Sequence, residues 1–187
     1  MIIWIASYPK SGNTYLRSFL ASYYFSDDGK FNFDLLLKIH QFPNMKFSKL
    51  KSTNKEEASK NWIFNQNSFF KNLDLNLVKT HNCLYPFKNN EFTSTNITRG
   101  AIYIVRDPRN VITSLTHHYD LTHEEAYSHM IDENSSLLET SHELDHSNFT
   151  YLNSWSNHYK SWKNNKQFKT LFIKYGDLEK DKENVFK

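Results

Sequence analysis

The start of the chain constrains its fold more than any other stretch. Ile2–Ala6 is a continuous, isoleucine-rich apolar run, typical of a buried strand. A loop with the sequence SYPKSGNT follows at residues 7–14. Apolar residues then recur at the three- and four-residue spacing of an amphipathic helix, at Leu16, Phe19, Leu20 and Tyr23. A strand, a short loop and a helix in this order predict one unit of an α/β fold with a parallel sheet.

The rest of the chain repeats this alternation. Further strands are predicted at Leu75–Lys79, Ala101–Val105 and Phe168–Lys174. Helices are predicted over residues 33–42, 55–70, 109–119, 151–162 and from Asp177 onward, and the polar, acidic segment 121–147 is also predicted to be helical. The chain is therefore predicted to be a single α/β domain, residues 1–187, in which helices flank a central, mainly parallel sheet.

Composition and charge argue against several functional classes. The formal net charge of +3 in 187 residues is too small to indicate nucleic-acid binding. No apolar run approaches the ~20 residues that span a bilayer, so no membrane span is predicted. A single cysteine, Cys83, excludes an internal disulfide and fits a reducing compartment, and the predicted location is cytoplasmic.

The loop at residues 7–14 has the features of a phosphate site. In the common nucleoside-triphosphate loop the lysine follows a second glycine, whereas here Lys10 precedes Gly12 and no other glycine is near. A strand-to-helix junction presents free backbone N–H groups and a positive dipole end to an anion. Gly12 allows close approach of the backbone, Asn13 and Thr14 add side-chain donors, and Lys10 adds a mobile charge. An ordinary strand-to-helix turn with an incidental lysine is the alternative.

Two further loops follow predicted strands and reach the same edge of a parallel sheet. His81, in the sequence VKTH, is a candidate general base, and Lys79 can stabilise negative charge beside it. Arg106 ends the strand before DPRN and can bind a second phosphate with its planar fork, with Ser114 two helical turns further on. Taken singly, these residues are also compatible with a surface histidine and with solvated arginines beside a helix cap.

Together and in this order, the three motifs resemble the sulfotransferase family that uses 3′-phosphoadenylyl sulfate (PAPS), most closely its soluble and bacterial members. The phosphosulfate loop of that family is similar to Tyr8–Tyr15, here YPKSGNTY, and its Lys-Thr-His motif is found at Lys79–His81. Its 3′-phosphate segment matches Arg106 and Ser114, and a later Tyr-x-Asp-Leu segment matches Tyr175–Leu178. The resemblance implies a P-loop-like three-layer fold.

The resemblance also implies a role for each matching residue. His81 would be the general base, while Lys10 and Lys79 would stabilise the oxygens of the transferred group, and no metal ion is implied. The implied co-substrate is PAPS, and its product is adenosine 3′,5′-bisphosphate. The residues implied to bind it are Lys10, Ser11, Gly12, Asn13, Thr14, Tyr15, Arg106, Ser114 and Tyr175. The implied acceptor is a hydroxyl or amine of a small molecule or glycan.

Departures from the family pattern leave alternatives open. Asn13 stands where the family has threonine, and Tyr15 where it has tryptophan. No arginine- and glycine-rich segment follows the helix that starts at Asp177. We therefore expect either an incomplete domain or a naturally short relative, and in both cases weak binding of the donor. The competing functions are a small-metabolite kinase on a related fold and an inactive nucleotide-binding or scaffold protein. The acceptor and the oligomeric state, including a homodimer, stay open.

Overall fold

The computed structural model describes residues 1–71, 75–141 and 146–185. Its strands are β1 (Ile2–Ser7), β2 (His40–Gln41), β3 (Asn76–Thr80), β4 (Thr98–Val105), β5 (Ser136–Ser141), β6 (His146–Tyr151) and β7 (Thr170–Lys174). Its α-helices are α1 (Asn13–Phe25), α2 (Lys55–Lys60), α3 (Trp62–Phe70), α4 (Pro108–Tyr119), α5 (His123–Ile131), α6 (Trp155–Lys163), α7 (Tyr175–Lys180) and α8 (Lys182–Val185). Phe33–Lys38 and Met45–Phe47 form short 3-10 helices. None of the helices in these ranges is both long and apolar enough to cross a membrane.

Five strands form one parallel sheet in the order β2-β3-β1-β4-β7. The central strand β1 is buried on both faces: Trp4 belongs to one core cluster, together with Trp62 and Trp162, and Ile5 belongs to a second, together with Leu16 of α1. The helices therefore lie in layers on the two faces of the sheet, as in other parallel α/β folds. The prediction of an α/β fold with a central parallel sheet is confirmed.

The strand register brings three of the loops to one edge. Ala6 of β1 pairs with Thr80 of β3 and with Tyr103 of β4. The chain segments that follow these strands therefore begin side by side at the carboxyl edge, where parallel sheets bind their ligands. The loop at residues 7–14, the segment at His81 and the segment at Arg106 all start there.

The prediction of a continuous helix over residues 121–147 is wrong. A helix is present only in α5, which Thr122 and Glu125 start with a reciprocal capping box. After it, β5 and β6 form an antiparallel hairpin in which Leu138 pairs with Phe149, while residues 142–145 lie outside the described ranges. The hairpin has no clear alternation of apolar and polar residues on β5, so the sequence did not indicate a strand.

Smaller differences concern element boundaries. The predicted helix at 33–42 is instead a 3-10 helix, capped by the Asn32 side chain, followed by the edge strand β2. The predicted helix at 55–70 is divided at Asn61 into α2 and α3. The helix predicted over residues 151–162 begins later, because Tyr151 belongs to β6 and α6 begins at Trp155. The helix expected from Asp177 already begins at Tyr175.

Candidate active site

A cleft of about 720 Å³ opens at the carboxyl edge of the sheet, between the segments that follow β1, β3 and β4. Most of the predicted site residues line it, namely Lys10, Gly12, Asn13, Thr14, Tyr15, Lys79, His81, Arg106 and Ser114. The remaining lining residues are Pro9, Ser18, Phe31, Phe33, Gln41, His118, Tyr119 and Leu137. The topology therefore collects the three predicted motifs around one space.

The loop after β1 has the backbone of an anion-binding turn. Lys10 and Gly12 both have positive φ angles, 63° and 94°, and α1 begins directly after Gly12. Gly12 is required for a second reason, because an added Cβ would overlap the ring of Tyr175. The first turn of α1 contains no acidic residue, so its free N–H groups face the loop without a competing carboxylate.

The polar side chains of this loop divide into two kinds. Asn13 was predicted as a side-chain donor to the ligand, but both of its amide hydrogens are used within the protein, at the carbonyl of Ile5 and at Ser7 Oγ. Asn13 can therefore donate to a ligand only through its backbone N–H, at the first position of α1. Ser11 is buried and does not line the cleft, and its Oγ has no hydrogen-bond partner. Thr14 is exposed in the cleft, where its hydroxyl is accessible.

The Nδ1 atom of His81 is hydrogen-bonded to Ser7, the last residue of β1. Nδ1 lies 2.7 Å from the backbone carbonyl oxygen of Ser7 and 3.2 Å from Ser7 Oγ. Because a carbonyl oxygen only accepts, Nδ1 carries the hydrogen, and Nε2 of the neutral ring keeps its lone pair. Burial, reinforced by the positive charge of Lys79, lowers the pKa of His81 to about 3. The ring is therefore neutral at physiological pH, as a proton acceptor must be.

The two lysines of the site have lowered pKa values. Lys79 Nζ donates to Gln41 Oε1 at 2.9 Å, and burial together with the charge of Arg17 lowers its pKa to about 8. Burial and the neighbouring charge of Arg106 also lower the pKa of Lys10. Both shifts have the direction expected where cations are gathered around a site for a polyanion.

Arg106 connects the loop after β1 to the segment after β4. Its Nη1 donates to the carbonyl oxygen of Lys10 at 3.0 Å, and its guanidinium carbon lies 4.7 Å from the centre of the Tyr175 ring. Its Nε is buried and has no hydrogen-bond partner. A buried charged donor without a partner is costly, so this atom marks a place where a ligand oxygen would be stabilised. Ser114, on α4, lines the same cleft.

Two tyrosine rings meet beside this arginine. The centroids of Tyr15 and Tyr175 are 6.2 Å apart, with the rings at 71°. Tyr15 lines the cleft, whereas Tyr175 stands behind Gly12 and Arg106 and does not line it. Tyr15 and Tyr175 were predicted to share one site only because both match motifs of the sulfotransferase family.

Several residues around the cleft were not predicted as site residues. Ser7 orients His81, and Gln41 holds Lys79. Phe31 and Phe33 line the cleft with their ring centroids 5.3 Å apart. Ser7 lies within the loop at residues 7–14, so the sequence already places it near the site, whereas Gln41 lies in a segment predicted to be a helix.

A second, smaller recess of about 240 Å³ adjoins the cleft. It shares Pro9, Tyr119 and Leu137 with the cleft, and its remaining lining is mostly apolar: Tyr8, Leu115, Leu121, His129, Ser135, Ser136 and Leu152. His118 lines the cleft, whereas its exposed neighbour His117 lines neither space. Within residues 1–71, 75–141 and 146–185, no group of three or more His, Cys, Asp or Glu side chains is placed to hold a metal ion.

Comparison with known proteins bears on this arrangement. No curated protein matches the sequence. A crystal structure of retinol dehydratase in complex with retinol and PAP has a similar fold, with a TM-score of 0.56 and 18% sequence identity. The superposition covers 98% of this chain and 57% of the retinol dehydratase chain, so the chain spans little more than half the length of that protein. At this level of identity the match shows a shared fold.

The family follows from the sequence itself. A family model described as the sulfotransferase domain matches residues 2–187, almost the full chain. This match includes all three motifs around the cleft, and it confirms the resemblance from which they were first interpreted. The chain belongs to the sulfotransferase family.

Proposed function

We propose that the protein transfers the sulfuryl group of PAPS to a hydroxyl, or an amine, of a small molecule. One observation carries the proposal. The Lys10 loop, bonded to Arg106, lies at the same cleft as a neutral imidazole, His81, whose Nε2 lone pair is free. Cations for a charged donor and a base for an acceptor are the two requirements of such a transfer.

The residues of the cleft suit the donor. The free N–H groups at the start of α1 and the Thr14 hydroxyl suit its 5′-phosphate. The unpartnered Arg106 Nε and the Ser114 hydroxyl suit its 3′-phosphate. The ring of Tyr15, which lines the cleft and packs against Tyr175, suits the adenine.

The transfer itself is a displacement at sulfur. The acceptor oxygen forms a bond to sulfur while the bond between sulfur and the bridging phosphate oxygen breaks. His81 Nε2 receives the acceptor proton, and Lys10 stabilises the charge that develops on the departing oxygen, with Lys79 near the sulfuryl oxygens. The products are a sulfated acceptor and adenosine 3′,5′-bisphosphate.

The acceptor is proposed to carry an apolar portion. The recess beside the cleft is lined mostly by apolar side chains, including Leu115 and Leu152, and it opens to the cleft at Tyr119 and Leu137. An alkyl or aryl group would remove this surface from water, whereas a glycan would leave its hydroxyls without partners there. Retinol, present in the similar retinol dehydratase structure, is an alcohol of this chemical type.

The test is transfer of an isotopically labelled sulfuryl group from PAPS to 2-naphthol, to 1-decanol and to glucose. The proposal predicts labelled products with the first two acceptors. His81→Gln is expected to lower the rate by a factor on the order of 10²–10⁴ with little effect on binding of adenosine 3′,5′-bisphosphate. His117→Gln, an exposed histidine outside the cleft, is the matched control and should leave the rate unchanged.

Other outcomes favour the competing functions. Nucleotide binding without transfer to any acceptor would favour an inactive binding or scaffold protein. Transfer of phosphate from magnesium-ATP would favour the kinase. Equal rates for His81→Gln and the unaltered protein would remove the proposed base.

A further inference from the structure

Three polar side chains on one face of α6 point into the core. His158, Ser161 and Trp162 are spaced at i, i+3 and i+4, so they lie on the same side of the helix. Their exposed fractions are 0%, 4% and 0%.

All three side chains bond the segment that follows β3. His158 Nε2 lies 3.0 Å from the carbonyl oxygen of His81, and Trp162 Nε1 donates to the carbonyl oxygen of Asn82 at 3.1 Å. The backbone N–H of Leu84 donates to Ser161 Oγ at 3.0 Å. The backbone that carries His81 is therefore fixed from α6 at three of its four residues, His81–Leu84.

His158 makes the most informative of these contacts. A carbonyl oxygen only accepts, so His158 Nε2 carries the hydrogen, and Nδ1 accepts from the Tyr103 hydroxyl at 2.8 Å. The same ring packs edge-to-face on Tyr8, with centroids 5.4 Å apart. One imidazole thus contacts the β3 segment of the base, strand β4, and the first residue of the Tyr8–Tyr15 loop.

A fully buried histidine at position 158 is not explained by packing alone. A neutral histidine without any exposed surface must have both ring nitrogens paired, since an unpaired buried polar atom is costly. Leucine or phenylalanine at position 158 would pack without this requirement. A fully paired buried network makes its members rigid, so His158 fixes the positions of the groups that it bonds.

We propose that His158 is a positioning residue for the general base: by donating Nε2–H to the His81 carbonyl, with its own ring fixed by Tyr103, it holds the His81 imidazole in its bond to Ser7. The role of His81 as the base rests on the proposed function. The fixed orientation of the His81 ring does not, and it can be measured in the protein without substrates.

The test compares His158→Leu, which removes the donor, with His158→Gln, whose amide can still donate to the His81 carbonyl. The first readout is the ¹⁵N NMR spectrum of the His81 ring. The unaltered protein and His158→Gln should show one tautomer, protonated on Nδ1, and His158→Leu should show a mixture. The second readout is transfer, for which kcat should fall about 10–100-fold in His158→Leu with an unchanged KM for PAPS, and should be largely restored in His158→Gln.

A control separates this effect from a loss of stability. Thr93→Val removes buried hydrogen bonds to Gln66 and Thr98 far from the cleft, and should lower stability without changing the His81 tautomer. If His158→Leu does not fold, Tyr103→Phe serves instead, because it frees the His158 ring and should also give a tautomer mixture at His81. A single, unchanged tautomer in the folded His158→Leu protein, or in Tyr103→Phe where it replaces that variant, would overturn the proposal. Absence of bisphosphate binding by the unaltered protein would count against the proposed function and would leave the tautomer result standing.

Discussion

At the scale of single residues, the site is defined by which polar atoms are already occupied and which are free. Arg106 uses Nη1 to hold the Lys10 carbonyl and leaves Nε buried without a partner. His81 uses Nδ1 to hold Ser7 and leaves Nε2 for the cleft. In each case one nitrogen fixes the side chain and another is available for chemistry, which is the condition for a preorganised site.

We expect Arg106→Ala to weaken binding of adenosine 3′,5′-bisphosphate by a factor on the order of 10–100, since a hydrogen bond to a charged group contributes about 1.5–3 kcal/mol. Calorimetric titration measures this change. Arg109→Ala is the matched control: Arg109 lies three residues away, is largely exposed, and pairs with Asp107. Equal affinities of the two variants would contradict the assignment of Arg106.

We expect the pKa of His81 to rise when the bisphosphate binds. In the free protein burial and the charge of Lys79 hold this pKa at about 3. Phosphate groups nearby would offset the charge of Lys79 and favour the imidazolium, so the bound pKa must be higher. NMR titration of the His81 ring with and without the nucleotide measures the shift, and an unchanged or lower value would place the phosphates away from the base.

At the scale of secondary-structure elements, α6 is as important to the site as the three loops. Its N-terminus is capped by Ser154, whose hydroxyl accepts from the N–H of Asn157 at 3.3 Å. The helix then delivers His158 to the backbone of His81. A substitution that destabilises the first turns of α6 should therefore alter the orientation of the His81 ring.

We expect Ser154→Ala to lower the free energy of unfolding by about 1 kcal/mol through loss of the cap. It should also broaden or shift the NMR signals of the His81 ring. Thr122→Ala removes the equivalent cap of α5 and should cost a similar amount without affecting His81, because the hydrogen bonds that hold His81 come from α6 and β1. Identical His81 spectra in both variants would contradict the role given to α6.

Elements with strong local signals were predictable from the sequence. Strand β1 and the part of β4 from Ala101 to Val105 are apolar runs, and Asp107 with Pro108 marks the start of α4. The hairpin of β5 and β6 was not predictable, because its strands satisfy their backbone by pairing with each other and leave Leu137 and Leu138 exposed. Edge strand β2 was not predicted, because a strand of two residues is too short to show an alternation of apolar and polar side chains.

The site itself was predictable wherever a residue belongs to a motif at a strand end. Lys10, His81 and Arg106 line one cleft because the parallel register places their strand ends side by side. The contacts that orient them were beyond the sequence. His158 lies 77 positions after His81, and nothing in the local pattern distinguishes it from a core histidine.

At the scale of the whole molecule, two histidines with lowered pKa values, His81 and His158, couple stability to pH. Burial lowers the pKa of His158 to about 4, and burial with the charge of Lys79 lowers that of His81 to about 3. As the pH falls below the ordinary histidine pKa of ~6.5, both histidines are protonated in the unfolded chain but stay neutral in the folded protein. Stability is therefore lost as the pH decreases through this window.

We expect the free energy of unfolding to fall by roughly 2–3 kcal/mol per pH unit between about pH 6 and pH 4.5, from the two histidines together. Urea unfolding at a series of pH values measures the slope. His158→Gln should remove about half of it. Exposed carboxylates with lowered pKa values, such as Glu56 at about 2, add to this slope only toward the acid end of the window, near the ordinary glutamate value of ~4.5, and they do so equally in the unaltered protein and in His158→Gln. A flat profile above pH 4.5 would show that the two rings accept protons in the folded state.

The most direct test of the whole account is calorimetric titration of the protein with adenosine 3′,5′-bisphosphate and, separately, with magnesium-ATP. We expect saturable binding of the bisphosphate that is weakened in Lys10→Ala and Arg106→Ala. Binding of magnesium-ATP should be at least tenfold weaker, because the cleft presents two cationic phosphate sites, at Lys10 and at Arg106. Preferential binding of magnesium-ATP, or bisphosphate binding that both substitutions leave unchanged, would contradict it.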